Sequence, residues 1–397
     1  MHYRFIATGL LATTISLLLV VWLVVFRSAA APTAVSPSGI TAVSSPSAMA
    51  EGVSRPADGA VYYGVQLDWQ QDSIAQYVAR LGREPVVFGH YAHFPLMAAD
   101  RDGLTEATSQ IETAGGKLLL TLMPHQGLAA VDEGAILELA ALLADYNRRG
   151  IEVLVRYGPE MNGSWYSWGL RAEEYVASFR RVAQAVHESA PGSVMVWSPY
   201  YGGGYPFPSQ EYDLPPNAAE LEAIDTNHDG LLDMNDDPYA PYYPGDEYVD
   251  WVALTDYHRG NRWPWGDNQV PIADQLRSRL LGRYNGPIAD ERSVPNFYQQ
   301  YAEDKDKPFA LAETAALFDP SLVGGDAEAD IKSAWAKQAF SPRLAADFPQ
   351  LKLVMWFEYA KEERDVGFVD WRATQERAVL REYQRALGPH LVFAPNE

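Results

Sequence analysis

Short apolar runs alternate along this chain with longer stretches whose apolar positions recur with helical spacing. The short runs are nearly continuous in Val, Ile, Leu and Phe, as expected for parallel strands whose outer face is covered by helices. Eight of them predict strands, at residues 61–66, 85–89, 117–123, 152–158, 193–198, 248–255, 308–313 and 351–358. Helical patterns fill several of the intervals, at residues 73–81, 133–148, 172–188, 327–346 and 374–386.

Eight alternating units favour the α/β class and a closed (β/α)₈ TIM barrel. The chain has no repeat of fixed period, which argues against a solenoid or a propeller. An open, doubly wound sheet is the structural alternative, but residues 64–69 after the first strand lack the Gly-rich phosphate turn of that fold. We therefore expect a single barrel domain over residues 59–392, with its chemistry at the carboxyl ends of the strands.

The N-terminal segment has a different character. Residues 5–26 are uncharged and mostly apolar, long enough for a helix to cross a hydrocarbon core of about 30 Å. Residues 1–27 therefore predict a signal-anchor, with a cleaved signal peptide as the alternative. Residues 28–58, rich in Ala, Ser and Pro, predict a disordered linker. We expect an extracytoplasmic protein, membrane-anchored by the N-terminal helix or secreted if the leader is cleaved.

Composition narrows the partners. The formal net charge of -21 would repel phosphate backbones, so nucleic acid is excluded as a partner. Cysteine is absent, so disulfides are excluded as well. The 11 Trp and 23 Tyr residues offer flat rings with a polar edge, which suit stacking on sugars as well as core packing.

Two glutamates stand at predicted strand ends. Glu160 follows the fourth strand, and Glu313 ends the seventh. Retaining glycoside hydrolysis needs one proton donor and one nucleophile with carboxyl groups roughly 5 to 5.5 Å apart. Glu160 would be the proton donor, with its pKa raised by apolar surroundings such as Trp165 and by the charge of Glu313. Glu313 must stay ionised, and Arg156 and Tyr257 are the nearest candidates to hold it so.

The other strand ends add polar and aromatic groups to the same predicted rim. His125 follows the third strand, Asn162 and Trp168 follow the fourth, and Trp356 lies near the end of the eighth. Each also has a structural interpretation: His125 as a turn residue and Trp356 as core packing. Their recurrence at several strand ends favours a substrate-binding role for the set.

These residues carry a family resemblance. The segment RYGPEMNGSWYSWG, residues 156–169, resembles the acid/base segment of glycoside hydrolase family 26, the β-mannanase family. Residues 243–252 are similar to its approach to the sixth strand, and Ala312-Glu313 resembles its nucleophile position. The resemblance implies a (β/α)₈ barrel, retaining cleavage of β-linked polysaccharides, and no organic cofactor. It further implies that Tyr257 bonds the nucleophile and that Trp165, Trp168 and His125 line subsites.

The chain departs from the family at Pro159, where His usually precedes the acid/base glutamate. Proline has no side-chain donor and no backbone N–H, so a hydrogen bond to the sugar would be lost. Two outcomes stay open. One is an endo-β-mannanase-like enzyme with altered choice among mannan, β-glucan and xylan. The other is a catalytically impaired glycan-binding or polysaccharide-assembly protein on the same barrel.

A separate motif lies between the fifth and sixth strands. Oxygen ligands occupy positions 1, 3, 5, 9 and 12 of a twelve-residue loop at residues 225–236, with Gly230 at position 6 and a backbone carbonyl at position 7. The loop resembles the calcium loop of dockerins. It predicts a structural Ca²⁺ site formed by Asp225, Asn227, Asp229, Leu231, Asp233 and Asp236.

Overall fold

The computed structural model describes residues 52–207, 217–262, 265–287, 289–364 and 366–395. The predicted signal-anchor and most of the linker lie outside these ranges. None of the helices within them has the length and apolar character that crossing a bilayer requires.

Eight parallel strands form a closed barrel, in which each strand pairs with the next along the chain. β8 pairs back onto β1, with Tyr62 opposite Leu353 and Leu67 opposite Glu358. The predicted (β/α)₈ TIM barrel is therefore confirmed. The strands are β1 (Val61–Leu67), β2 (Val87–His93), β3 (Lys117–Met123), β4 (Val153–Tyr157), β5 (Ser193–Trp197), β6 (Trp251–Thr255), β7 (Phe309–Thr314) and β8 (Leu351–Glu358).

Helices surround the barrel. They are α1 (Ile74–Leu81), α2 (Ala98–Thr113), α3 (Glu133–Arg148), α4 (Ala172–Ser189), α5 (Ala218–Ile224), α6 (Gln275–Leu280), α7 (Glu328–Ala339), α8 (Pro342–Asp347) and α9 (Arg377–Ala386). The single helix predicted at residues 327–346 is two helices. Pro342 cannot continue α7 because it lacks a backbone N–H, and it begins α8 behind the N-cap Ser341.

Three further strands lie outside the eight. β9 (Ala360–Glu363) and β10 (Gly367–Asp370) form an antiparallel hairpin after β8, on the side of the barrel where that strand ends. β11 (Leu391–Val392) adds to β1 in parallel, with Leu391 opposite Val61.

The barrel interior is filled by alternate residues of its strands. Apolar side chains from β2 to β8 form one cluster, among them Val87, Leu119, Leu154, Trp251, Ala312 and Met355. Val53 is buried in the same cluster. Ser54 donates to Glu152 from its backbone N–H and from its hydroxyl, both at 3.0 Å. Residues 53 and 54 of the predicted linker therefore contact the barrel.

Candidate active site

A cavity of about 610 Å³ opens where the barrel strands end. Both predicted carboxylates, Glu160 and Glu313, line it. Rings form much of the remaining wall, and charged side chains from the loop after β6, from α6 and from the β9–β10 hairpin complete it. Prominent lining residues are Trp165, Tyr166, Tyr200, Phe207, Tyr257, Arg259, Arg279, Glu291, Phe357, Lys361, Glu363 and Trp371.

A tight backbone turn places Glu160 at the mouth of β4. Gly158 and Glu160 both have positive φ, 51° and 57°, and for a glutamate that left-handed conformation is strained. The turn is held by the Glu160 N–H, which donates to the carbonyl of Ser198 at 2.8 Å. Trp165 Nε1 donates to Glu160 Oε2 at 2.7 Å. The surrounding structure thus enforces a strained conformation that aims this carboxyl into the cavity.

The environment of Glu160 suits a proton donor. Burial raises the pKa of its carboxyl, and the negative charge of Glu313 raises it further, against the opposing influence of Arg156 and Trp165. The side chain is only slightly exposed, at 7% of the residue surface. A carboxyl with a raised pKa can hold a proton near neutral pH, as a general acid must.

Glu313 owes its direction to a β-bulge in β7. Ala312 belongs to the barrel-interior cluster, so strict alternation would turn Glu313 outward. The β6–β7 register instead shifts between Leu254, opposite Leu311, and Thr255, opposite Glu313. Thr314 then faces out, accepting from Trp335 Nε1 at 2.8 Å. The bulge therefore brings two consecutive side chains to the inside, and the second is the carboxylate.

Two donors hold Glu313, and two hydroxyl acceptors hold its partner Arg156 in place. Tyr257 donates its hydroxyl to Glu313 Oε2 at 2.6 Å. Arg156 Nη1 donates to Oε1 of the same carboxylate, and no part of Arg156 is exposed. Arg156 is itself fixed, since it donates to Ser198 Oγ at 3.0 Å and to Thr255 Oγ1 at 2.6 Å. These bonds fix the orientation of the Glu313 carboxylate and place a buried positive charge beside it.

The predicted binding residues divide into two groups. Trp165 and Tyr257 line the cavity. Asn162 and Trp168 are fully buried: the Asn162 amide is bonded to the backbone of Tyr200, and Trp168 Nε1 donates to the carbonyl of Pro159 at 2.9 Å. The prediction that these two side chains contact substrate therefore needs correction, because neither has exposed surface. Both instead hold the loop that carries Glu160.

Two further predicted residues lie away from the two carboxylates. His125 is exposed, with its ring 5.3 Å from that of Trp168 and 6.1 Å from that of Tyr166. Trp356 is a correction. It faces outward from β8 into the core, with its ring 4.8 Å from that of Tyr383 in α9, and it is fully buried. Its neighbour Phe357 faces inward instead and lines the cavity.

The sequence did not single out most of the remaining cavity residues. Arg259 directly follows the strand-end segment of Tyr257 and lies over the rings of Tyr257 and Trp371, at 5.6 and 5.4 Å. Its position at a strand end was a usable signal. Lys361 and Glu363 form an ion pair at 3.2 Å on the hairpin. The sequence contains no signal for their place in the cavity, because a charged surface hairpin has the pattern of a solvated loop.

The predicted calcium loop, residues 225–236, uses its carboxylates on its own backbone. Asp225 accepts from the N–H groups of Asp229, at 3.2 Å, and Gly230, at 2.8 Å. Asp236 accepts from Thr226 at 2.7 Å and from Asp233 at 2.9 Å. Within the described residues no three acidic or histidine side chains are grouped as a metal site requires. Calcium binding therefore stays a prediction, and the chemistry below does not depend on it.

Replacing Glu160 by glutamine is expected to stabilise the folded protein at neutral pH by about 0.5 to 2 kcal/mol. The pKa of folded Glu160 is raised, so the folded state loses stability as the pH rises from the unfolded pKa to the folded one. Glutamine cannot ionise, and its advantage should be absent below about pH 4, grow with pH and then level off. Urea unfolding across this range measures it. Glu138→Gln, an exposed control, should show no such growth, and an equal Glu160→Gln gain at every pH would contradict the raised pKa.

The closed eight-stranded barrel with its cavity at the strand ends can be compared with known proteins. No protein-family model matches the chain. Two solved structures share its fold with a TM-score of 0.51 each. The Cellulomonas fimi endo-beta-1,4-mannanase double mutant is 18% identical, over 85% of this chain and 73% of that one. The catalytic domain of the Bacillus sp. JAMB-750 GH26 endo-beta-1,4-mannanase is 16% identical, over 84% and 88%.

A curated protein is also similar in sequence. Endoglucanase H of Acetivibrio thermocellus is 24% identical to this chain over 257 residues. The match spans 63% of this chain but only 22% of that protein. The fold is therefore like that of family 26 glycoside hydrolases, while the chain spans about a fifth of the length of its curated relative.

Proposed function

We propose that this protein is a retaining β-glycoside hydrolase that cleaves a β-linked polysaccharide. One observation carries the proposal: two carboxyl groups line one cavity in opposite electrostatic settings. Glu160 has a raised pKa and accepts from the indole N–H of Trp165, whereas Glu313 accepts from a buried guanidinium and a phenol. One carboxyl with a raised pKa and a second carboxylate oriented by a guanidinium and a phenol supply an acid and a nucleophile together.

The reaction follows from these settings as a double displacement. Glu313 attacks the anomeric carbon while protonated Glu160 gives its proton to the departing oxygen, which breaks the glycosidic bond and leaves a glycosyl ester on Glu313. Glu160, now ionised, takes a proton from water as that water attacks the same carbon. The sugar is released with a hydroxyl, and both carboxyl groups return to their first state. Tyr257 and Arg156 orient Glu313 throughout.

Mannan is the favoured substrate, with β-glucan and xylan as alternatives. Support for mannan comes from the fold shared with two endo-beta-1,4-mannanases, and support for glucan comes from the similarity to Endoglucanase H. The cavity walls suit sugar rings of either kind, because Trp165, Phe357 and Trp371 offer flat apolar faces beside charged hydrogen-bonding groups.

A second candidate function rests on Pro159. Its carbonyl accepts from Trp168, and a proline cannot supply a side-chain or N–H donor to the sugar. A protein that binds glycans or assists polysaccharide assembly without cleaving them would fit this one difference. We further propose that residues 1–27 export the protein and tether it to the membrane, which would bring the cavity to extracellular polysaccharide.

The two functions separate in one experiment. The purified protein is incubated with mannan, glucomannan, mixed-linkage β-glucan and xylan, and new reducing ends are measured beside binding by affinity electrophoresis. Hydrolysis of at least one polymer, with the product anomer retained by NMR, is the expected result. Binding without hydrolysis would favour the second function, and recovery of hydrolysis in Pro159→His would locate the defect at that position.

A further inference from the structure

The bulge that turns Glu313 inward interrupts the strand register at Ala312. Ala312 is skipped in the register between β6 and β7, and the β7–β8 register also shifts between Leu311 and Thr314. A buried carbonyl beside such an irregularity needs a donor, because an unsatisfied buried acceptor is destabilising. Something inside the barrel must therefore support the bulge.

Gln66 supplies a donor to this bulge from β1, which β8 alone separates from β7 around the closed barrel. Its Nε2 donates to the Ala312 carbonyl at 3.1 Å, across the interior from β1 to β7. Gln66 is fully buried in a region otherwise filled by apolar side chains. Burying an amide there is costly, and only Nε2 is bonded, since Oε1 has no hydrogen-bond partner among the described residues. The bond reaches the residue immediately before Glu313.

Gly89 makes room for the side chain of Gln66. A Cβ added to Gly89 would lie 1.6 Å from Gln66 Oε1 and 2.3 Å from its Cδ. Gly89 and Gln66 are directly opposed in the β1–β2 register. The backbone φ of Gly89 is not positive, so the reason for glycine here is space rather than conformation. The two residues act as one unit, with the glycine admitting the amide that reaches β7.

We infer that Gln66 is a positioning residue of the active site, which fixes the β7 bulge and through it the direction of the Glu313 carboxylate. The role rests on the proposed function, because it presumes that Glu313 is the nucleophile. Gln66 does not line the cavity. Its effect is expected on the chemical step rather than on binding, since a shift of about 1 Å in a reacting group can cost about 100-fold.

The test uses volume-matched and paired substitutions in the full chain. Gln66→Met keeps the size of the side chain and removes the donor, and it should lower kcat by about 10- to 100-fold with KM changed by less than about two-fold. Met355→Leu is the matched control. Met355 also lies in the barrel interior against a glycine, Gly64, but it makes no hydrogen bond to β7. The control should keep kcat within about two-fold.

A double-mutant cycle removes the ambiguity of a merely structural effect. Gly89→Ala should lower kcat in the parent, because its methyl group displaces the Gln66 amide from Ala312. The same change should have little further effect in Gln66→Ala, where the space is already free. This pair also decides the matter if Gln66→Met does not fold. Equal losses from Gly89→Ala in both backgrounds would overturn the role of Gln66.

The outcomes distinguish this inference from the function beneath it. An active parent whose kcat is unchanged in Gln66→Met overturns the positioning role and leaves the proposed function standing. A parent that hydrolyses none of the polysaccharides overturns both. A loss of Tm in Gln66→Met without a loss of kcat, measured well below the unfolding temperature, would make Gln66 a packing residue only.

Discussion

Glu160→Ala is expected to slow hydrolysis of an unactivated β-linked polysaccharide by about 10²- to 10⁴-fold, the usual contribution of a general acid. The loss should be much smaller on an aryl glycoside with a dinitrophenolate leaving group, because that group departs without a proton. Glu313→Ala should abolish activity on both substrates, since no leaving group replaces a missing nucleophile. Initial rates on the two substrates measure the contrast.

A third carboxylate in the same cavity provides the control. Glu363 lines the cavity but is paired with Lys361, and Glu363→Ala should cost less and by a similar factor on both substrates. Added azide should restore the activity of Glu160→Ala on the aryl glycoside, because the freed space admits a small nucleophile to the glycosyl ester. The product should be a glycosyl azide with the anomeric configuration of the substrate. A loss in Glu160→Ala that does not depend on the leaving group would end the assignment of Glu160 as the acid.

The barrel was predictable from the sequence because its signals are local. Near-continuous apolar runs separated by helical patterns require only neighbouring residues to interpret, and the eight predicted strands correspond to β1 through β8. Strand ends also predicted which residues meet. Arg156, Glu160, Tyr257 and Glu313 come from three different strand ends, and the structure gathers them at one cavity mouth.

The facing of individual side chains was harder to predict. A strand buried on both sides is apolar at every position, so the sequence of β8 carries no phase to say that Phe357 points in and Trp356 points out. The bulge at Ala312 likewise has no local signal in the sequence, because its supporting bond comes from a glutamine more than 240 residues earlier in the chain. By contrast, Pro342 is a local signal for a helix end within residues 327–346. The helical spacing of apolar residues is similar before and after it, and the two helices were therefore predicted as one.

Asn162 and Trp168 illustrate a second limit. A motif predicts that residues belong to a site but not at what distance from the chemistry they act. Both lie in the segment after Glu160, and the polar atoms of both side chains form hydrogen bonds to backbone groups instead of facing the cavity. The strained φ of Glu160 explains why these supporting bonds are needed, because a turn of unfavourable conformation persists only where surrounding bonds enforce it.

Arg156→Met is expected to destabilise the protein by about 3 to 5 kcal/mol, because it leaves the Glu313 charge in a buried site without its counter-ion. Arg156 has no exposed surface, and Glu313 is exposed by only 7%. The exposed pair of Arg101 and Glu138 serves as the control, and Arg101→Met should cost no more than about 1 kcal/mol. Urea unfolding at pH 7.5 measures both.

The charge argument has its own decisive variant. Glu313→Gln added to Arg156→Met removes the uncompensated carboxylate, and the double variant should recover most of the lost stability while remaining inactive. The bonds from Arg156 to Ser198 and Thr255 are lost in both variants, so their share of the cost stays. If the double variant is no more stable than Arg156→Met, those neutral bonds and the packing of the guanidinium stabilise this part of the barrel, and the ion pair serves to orient Glu313 for attack.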